Sequence, residues 1–307
     1  MPKAWPAYAI AAYLCCLAAL GWLQSRVRRG NIAAAAPGRL PLPIEEELCR
    51  PTTRRRALLV EIPFTSADVT SLEAAVSHWE SSWPCSQTSF APTRPDLVLA
   101  FNANMSAPRF DSERARVREL MQHPVVLACF GRITLESAHL NGIEDTYDKR
   151  RLDANWTVGP NNLFFLFLRA AAARGYRFML QLEPDILPLR PLWLEKLHCL
   201  AAHSSAWIIG SPFLSLCAKN TQTMRCSELG DNIKFHLNGN ALYAVGDAHF
   251  RAYWKRAFTG ELRLWPFDLA LHKYAETLPE VRLPTHRVGE AQGSGAAAVA
   301  PMGWHVI

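Results

Sequence analysis

The chain has 307 residues, half of them apolar and a fifth charged, which suits one large folded domain or two small ones and excludes general disorder. Its net charge of +6 comes entirely from residues 1–56, where nine Lys or Arg face three Glu; the remaining 251 residues balance 24 basic against 24 acidic. The basic character belongs to that N-terminal flank, and no nucleic acid is expected as a partner.

Residues 7–23 carry no charge. As a helix they span about 26 Å, enough for a thin early-secretory bilayer, and Trp5, Tyr8 and Trp22 sit where interfacial aromatics belong. Arg26, Arg28 and Arg29 stand between this segment and the small residues Ala33–Ala36, so an uncleaved signal-anchor is expected rather than a leader peptide. Charge count alone also allows the opposite insertion, since Lys3 and the amino terminus face three arginines; the sequons and cysteines further along the chain favour residues 1–6 as a cytoplasmic tail. Residues 24–56, with Pro37, Pro41, Pro43, Pro51 and two charge runs, lack hydrophobic periodicity and read as a stem. Cys15 and Cys16 lie in the apolar segment. Six dispersed cysteines follow (Cys49, Cys85, Cys129, Cys199, Cys217 and Cys226) without zinc-like spacing, and they permit disulfides. Cys217 and Cys226, closing a short loop, are the favoured pair. Two sequons, at Asn104 and Asn155, fit a secretory chain.

Ala57–Phe64 opens the folded domain as an apolar strand, and Ser66 can cap a helix that runs to about Ser82. No glycine-rich phosphate loop joins them, so neither a Walker site nor a dinucleotide fingerprint is expected. Asp96–Phe101 and Pro124–Phe130 read as a second and third strand, with a charged helix, Glu113–Gln122, between them and Ser112 as its cap. Residues 135–153 read as a polar loop carrying Glu144, Asp145, Tyr147 and Asp148, solvated or facing an acceptor. Leu163–Arg174 is an apolar helix ended by Gly175, too short to cross a bilayer.

Tyr176–Arg190 carries the clearest chemistry. Phe178, Met179, Leu180 and Leu182 make a buried-strand run, and Glu183-Pro184-Asp185 follows at once. Pro184 cannot donate a ladder hydrogen bond, so pairing stops there. Two carboxylates thus stand at the C-terminal end of a central strand, where open α/β sheets bind ligands. In an extended segment, i and i+2 point the same way and can face one cation; hard oxygen donors suit Mg²⁺ or Mn²⁺.

Further on, Pro191–His203 reads as a helix, Ala206–Gly210 as a strand and 217–231 as a loop. His236–Val245 follows as a polar cluster entering a strand. Asp247 begins an aromatic helix closed by Gly260, and Asp268 starts a last helix to about Thr277. His236, Asn238 and Asn240 alternate along an extended stretch, with Gly239 permitting close backbone approach; such amide and imidazole groups suit sugar hydroxyls. A structural turn is the other reading.

Leu182–Ile186, with Gly159-Pro160-Asn161-Asn162 before it and His236–Tyr243 after it, resembles a group of Golgi-type glycosyltransferases of algae and other protists, over roughly residues 57–275. The resemblance implies a single GT-A-like (Rossmann-like) mixed α/β sheet flanked by helices over residues 57–290 and an N-terminal transmembrane helix; the small-residue composition after Glu290 reads as a flexible tail over 291–307. It implies a type II protein of the Golgi or ER membrane, its catalytic domain lumenal, moving a sugar from a nucleotide-sugar donor to a glycan or glycoprotein acceptor. A divalent metal, Mn²⁺ or Mg²⁺, would be held at an Asp-x-Asp-like triplet, here with Glu183 first, Pro184 in the middle and Asp185 last. His305, or His286, would complete its shell. Asn161, Asn162, His236, Asn238, Gly239, Asn240 and Trp265 are the candidate substrate contacts. Asp268, following aromatic Trp265 and Phe267, is the candidate general base, with helix capping as its other role and Asp231 as the alternate. A non-catalytic sugar-binding homologue and a glycoside hydrolase stay open. Paired hydrolase carboxylates stand about 5–9.5 Å apart across a cleft.

Overall fold

A computed structural model describes residues 57–86, 94–146, 158–212, 237–278 and 304–306. The expected anchor, the stem, Cys217, Cys226, Asn155, Asp231, His236 and His286 lie outside the described residues. No described helix is long and apolar enough to cross a membrane.

Among the described residues seven strands form one mixed sheet: β1 (Leu58–Phe64), β2 (Asp96–Phe101), β3 (Ile133–Ser137), β4 (Phe178–Gln181), β5 (Ile208–Pro212), β6 (Leu237–Tyr243) and β7 (Trp304–Val306). Their order is β3-β2-β1-β4-β6-β5-β7. β1, β2, β3 and β4 run parallel, β6 is antiparallel to both β4 and β5, and β7 runs parallel to β5. The flanking helices are α1 (Val69–Trp79), α2 (Asp111–Met121), α3 (Pro124–Cys129), α4 (Val158–Ala173), α5 (Trp193–His203), α6 (Ala248–Ala257) and α7 (Phe267–Glu276). The mixed sheet flanked by helices is the architecture expected from the sequence.

β1 is apolar and buried almost throughout, as a parallel strand covered on both faces should be. Its one charged residue, Glu61, is fully buried. Four local expectations are corrected. Pro124–Phe130 is not a strand: His123 is extended at the N-cap, Pro124 occupies the first helical turn and α3 follows. Pro suits that position because the first turn leaves its N–H groups unpaired anyway. The third strand is instead β3, which runs into the start of the segment expected as a loop. As an edge strand, half-buried along its length, it carries only two apolar residues, Ile133 and Leu135, alternating with polar ones. α1 is entered through a short 3-10 turn, Ser66–Asp68, with Thr65 rather than Ser66 as cap: the Thr65 N–H and hydroxyl both donate to Asp68 Oδ2. α2 begins after Phe110, not at a Ser112 cap. α4 does end at Gly175, which takes φ +77°, a conformation glycine adopts without Cβ strain.

Cys85 and Cys129 form a disulfide that ties the segment after α1 to the end of α3, and Cys199 is also disulfide-bonded. β7 adds an edge strand beyond residue 290, within the segment expected as a flexible tail.

Candidate functional site

In this sheet β1, β2 and β3 succeed one another to one side, and β4 starts the other side. The strand order therefore reverses between β1 and β4. A crevice outside the carboxyl ends of the strands at such a point is where open α/β sheets take ligands. β1 ends there at Phe64, and β4 ends at Gln181 with one further bond, Leu182 N–H to Glu61 O at 2.9 Å. Glu183-Pro184-Asp185 comes next, with both acidic residues exposed.

The triplet is not extended. The Ile186 N–H donates to Glu183 O at 3.1 Å, closing a four-residue turn with Pro184 at its second position, where its fixed φ belongs. The simple i, i+2 alternation expected from sequence does not apply, and the two carboxylates are presented by a turn just beyond the carboxyl end of β4.

Antiparallel β6 lies beside β4, so the N-terminal end of β6 meets the C-terminal end of β4. That brings Asn238 and Asn240 to Glu183, 57 residues away in the chain from Asn240. The Glu183 N–H donates to Asn240 Oδ1 at 2.6 Å. Asn240 Nδ2 donates to Glu183 Oε2 at 3.0 Å and to Asn238 Oδ1 at 2.8 Å. Asn238 Oδ1 also accepts the Asn240 N–H at 2.9 Å. The two asparagines expected to meet a sugar are thus engaged with the acidic turn.

Gly239, between them, faces the other side of the sheet. A Cβ built there would lie 2.7 Å from Phe267 Cζ and 3.5 Å from Gln181 Nε2. The close approach expected at this glycine is made by Phe267, the first residue of α7. The Phe267 ring also stacks on Phe164 at 3.9 Å between centroids. Asn161, buried in the first turn of α4, donates from Nδ2 to the carbonyl of Trp265 at 2.8 Å and to that of Arg263 at 3.4 Å. Asn162 Nδ2 donates to Glu144 O at 3.0 Å, tying down the 3-10 turn Gly142–Asp145. Both α4 asparagines therefore fix loops that border the site. Trp265 is half-buried just before α7.

Asp268 is the second residue of α7. The N-cap is Pro266, so Asp268 is not the cap expected from sequence, although its Oδ1 accepts the Leu269 N–H at 2.8 Å. Burial, then the charges of Asp268, Glu183 and Glu61, push the Tyr243 phenol well above its ordinary value. The Tyr243 hydroxyl donates to Gly239 O at 2.9 Å. His305 is placed by its backbone alone, in β7 opposite Ile209. Among the described residues no three His, Cys, Asp or Glu converge as a metal cage.

Three residues of this region escaped sequence reasoning. Glu61 is in register with Gln181, both are buried, and neither Glu61 oxygen nor Gln181 Oε1 has a hydrogen-bond partner among the described residues. Burial alone raises the Glu61 carboxyl well above its ordinary range. A lone acid inside Leu58–Phe64 was the available signal. On the β2 side, buried Asn102 donates from Nδ2 to Asp145 Oδ1 at 2.7 Å. Desolvation raises Asp145, against the lowering effects of Asn102 and then Arg109.

No protein-family model matches the chain, and no curated protein matches it in sequence. Among solved structures it is similar to the bifunctional glycosyltransferase WbbM in its apo form, with 13% identity and a TM-score of 0.39; the match covers 72% of this chain but only 37% of that one. It is similar to mouse xyloside xylosyltransferase 1 in its apo form, with 11% identity over 81% of this chain and 84% of that one and a TM-score of 0.46. A third is the mannosyltransferase PcManGT of Pyrobaculum calidifontis in complex with GDP-Man and Mn²⁺, at 13% identity, 73% and 52% coverage and a TM-score of 0.34. These structural neighbours are all glycosyltransferases.

Proposed function

We propose that this chain is a metal-dependent glycosyltransferase of GT-A-like architecture. It moves a sugar from a nucleotide-sugar donor to a glycan or glycoprotein hydroxyl, on the lumenal side of a Golgi or ER membrane that residues 7–23 enter. The observation that carries the reading is the acidic turn Glu183-Pro184-Asp185 at the reversal of strand order, with a third carboxylate, Asp268, beginning α7, whose Phe267 packs against Gly239 of the neighbouring strand β6.

The donor set fits a hard cation that also binds substrate. Two exposed carboxylates are too few for a closed cage but suit Mg²⁺ or Mn²⁺, which keep waters and take phosphate oxygens. Glu183 and Asp185 would hold the ion, and its chemistry is to neutralise charge on a departing diphosphate. Asp268 accepts the proton of the attacking acceptor hydroxyl. Asn161 fixes the Trp265 carbonyl, and Gly239 admits the Phe267 ring; both set where Asp268 stands relative to the turn. Trp265 offers an apolar surface for a sugar ring.

The test is titration calorimetry of the detergent-solubilised full chain with UDP or GDP, with and without Mn²⁺, followed by a hydrolysis screen of sugar nucleotides. A transferase binds nucleotide and metal together and hydrolyses one donor slowly. Tight sugar binding without nucleotide would support the non-catalytic reading instead, and glycoside cleavage in EDTA the hydrolase.

A further inference from the structure

We infer that Asn240 is a positioning residue, holding the backbone and carboxylate of Glu183 together so that its remaining oxygen is presented to a cation. Three features carry this.

First, the orientation of the Asn240 amide is dictated by its partners. A backbone N–H can be met only by Oδ1. Two oxygens, Glu183 Oε2 and Asn238 Oδ1, can be met only by Nδ2. Turning the amide over would set like against like at all three contacts.

Second, the holder is itself held. Asn238 Oδ1 accepts from both the backbone N–H and the side chain of Asn240, so the amide plane is fixed from within β6 before Glu183 is considered.

Third, the grip is two-point. One contact fixes the start of the turn and the other the carboxylate, which otherwise rotates freely because Glu183 is exposed. Glu183 Oε1 has no partner among the described residues. Ordering an exposed carboxylate before a ligand arrives lowers the entropic cost of binding, and outer-shell partners of this kind typically matter by roughly 10–100-fold in metal affinity. Asn238 and Asn240 thus act on the acidic turn rather than on a sugar.

The functional half of this inference rests on the metal-dependent reading above; the geometric half does not. Two measurements on the detergent-solubilised full chain separate them. Mn²⁺ affinity, with UDP or GDP present, is measured by electron paramagnetic resonance for wild type, Asn240→Ala, Glu183→Ala and the double variant. Asn240→Ala is expected to weaken Mn²⁺ binding roughly 10–100-fold, and to add less than about twofold once Glu183 is gone, because coupled partners are not additive. Amide hydrogen exchange at single-residue resolution is the second measurement. The Glu183 amide should exchange about tenfold faster or more in Asn240→Ala, as loss of one hydrogen bond implies, while the Leu182 amide, bonded to Glu61 O, is unchanged.

An unchanged Glu183 amide overturns the proposal, as does an Asn240→Ala penalty of full size in the Glu183→Ala background. Wild type that binds no Mn²⁺ with either nucleotide removes the metal-dependent reading, and the exchange result alone then decides whether Asn240 positions the turn.

Discussion

Phe267 drives the end of its ring into the space where Gly239 has no side chain, 2.7 Å from where a Cβ would stand. β6 carries the asparagines that grip Glu183, and α7 carries Asp268 next to Phe267, so this one contact gauges the distance between the two carboxylates. Gly239→Ala forces the ring or the helix start to move. We expect a stability loss of about 1–3 kcal/mol, as for overpacking, and a fall in turnover of up to about 10²-fold, as a misplacement near 1 Å can produce. Urea unfolding and steady-state kinetics check this. Normal turnover in a destabilised variant would show that the contact serves packing alone.

Asp268→Asn keeps the size of the side chain and its bond to the Leu269 N–H but cannot accept a proton. Donor affinity should stay within a few-fold while turnover drops roughly 10²–10⁴-fold, the range for losing a general base. If Asp268 serves only the first turn of α7, the loss is about 1 kcal/mol of stability or less, with turnover near wild type.

Asp185→Ala removes an exposed carboxylate from the turn, so thermal unfolding should barely move. Mn²⁺-dependent nucleotide binding should be lost. Excess EDTA should reproduce that loss in wild type, and full wild-type turnover in EDTA would sink the metal assignment.

Glu61 gives a pH signature. Its native carboxyl titrates well above the ordinary glutamate value of 4.5. As pH rises past that value, the unfolded chain releases a proton that the native protein retains, so stability falls with pH until the native carboxyl itself ionises. Glu61→Gln lacks this slope. Its stability relative to wild type should therefore improve as pH rises above 4.5 in denaturant titrations; parallel curves would count against a buried, neutral Glu61.

The Cys85–Cys129 bond closes a loop across a 44-residue separation. On the chain-entropy account a closure of this length is worth about 4 kcal/mol. Replacing both cysteines with serine should lower the urea midpoint accordingly, with no change in nucleotide affinity.

The central strands were legible because Leu58–Phe64, Asp96–Phe101 and Phe178–Gln181 are apolar runs of strand length ended by turn residues. Pro124–Phe130 looked alike and is a helix. Seven apolar residues, four of them small or β-branched, carry no periodicity that separates the two states; the extended His123 and the Pro that follows settle it. β3 was missed for another reason: its alternation of Ile133 and Leu135 with Thr134 and Glu136 is only two apolar residues long, as suits a half-buried edge. At the site, the acidic triplet and the alternation of Asn238 and Asn240 could be read directly. Their partnership could not, because it depends on β6 running antiparallel into the gap beside β4, which no local pattern encodes. The same holds for Gly239: its need for space was readable, but the occupant of that space was not.

The position of β6 also governs when the protein can become itself during synthesis. β5 is made before β6, yet its place in the sheet is reached only through β6, which separates it from β4. A nascent chain that has emerged as far as Pro212 can pair β1 through β4, but it leaves the edge of β4 open and gives β5 no partner in that half. Such an unpaired edge invites wrong pairing. The acidic turn is exported ungripped in the same interval, and both deficits end together when residues 237–243 arrive. Release of a ribosome-bound chain halted before residue 237 should thus yield an aggregating, nucleotide-blind species, while one halted well past Tyr243 is already committed to the native sheet.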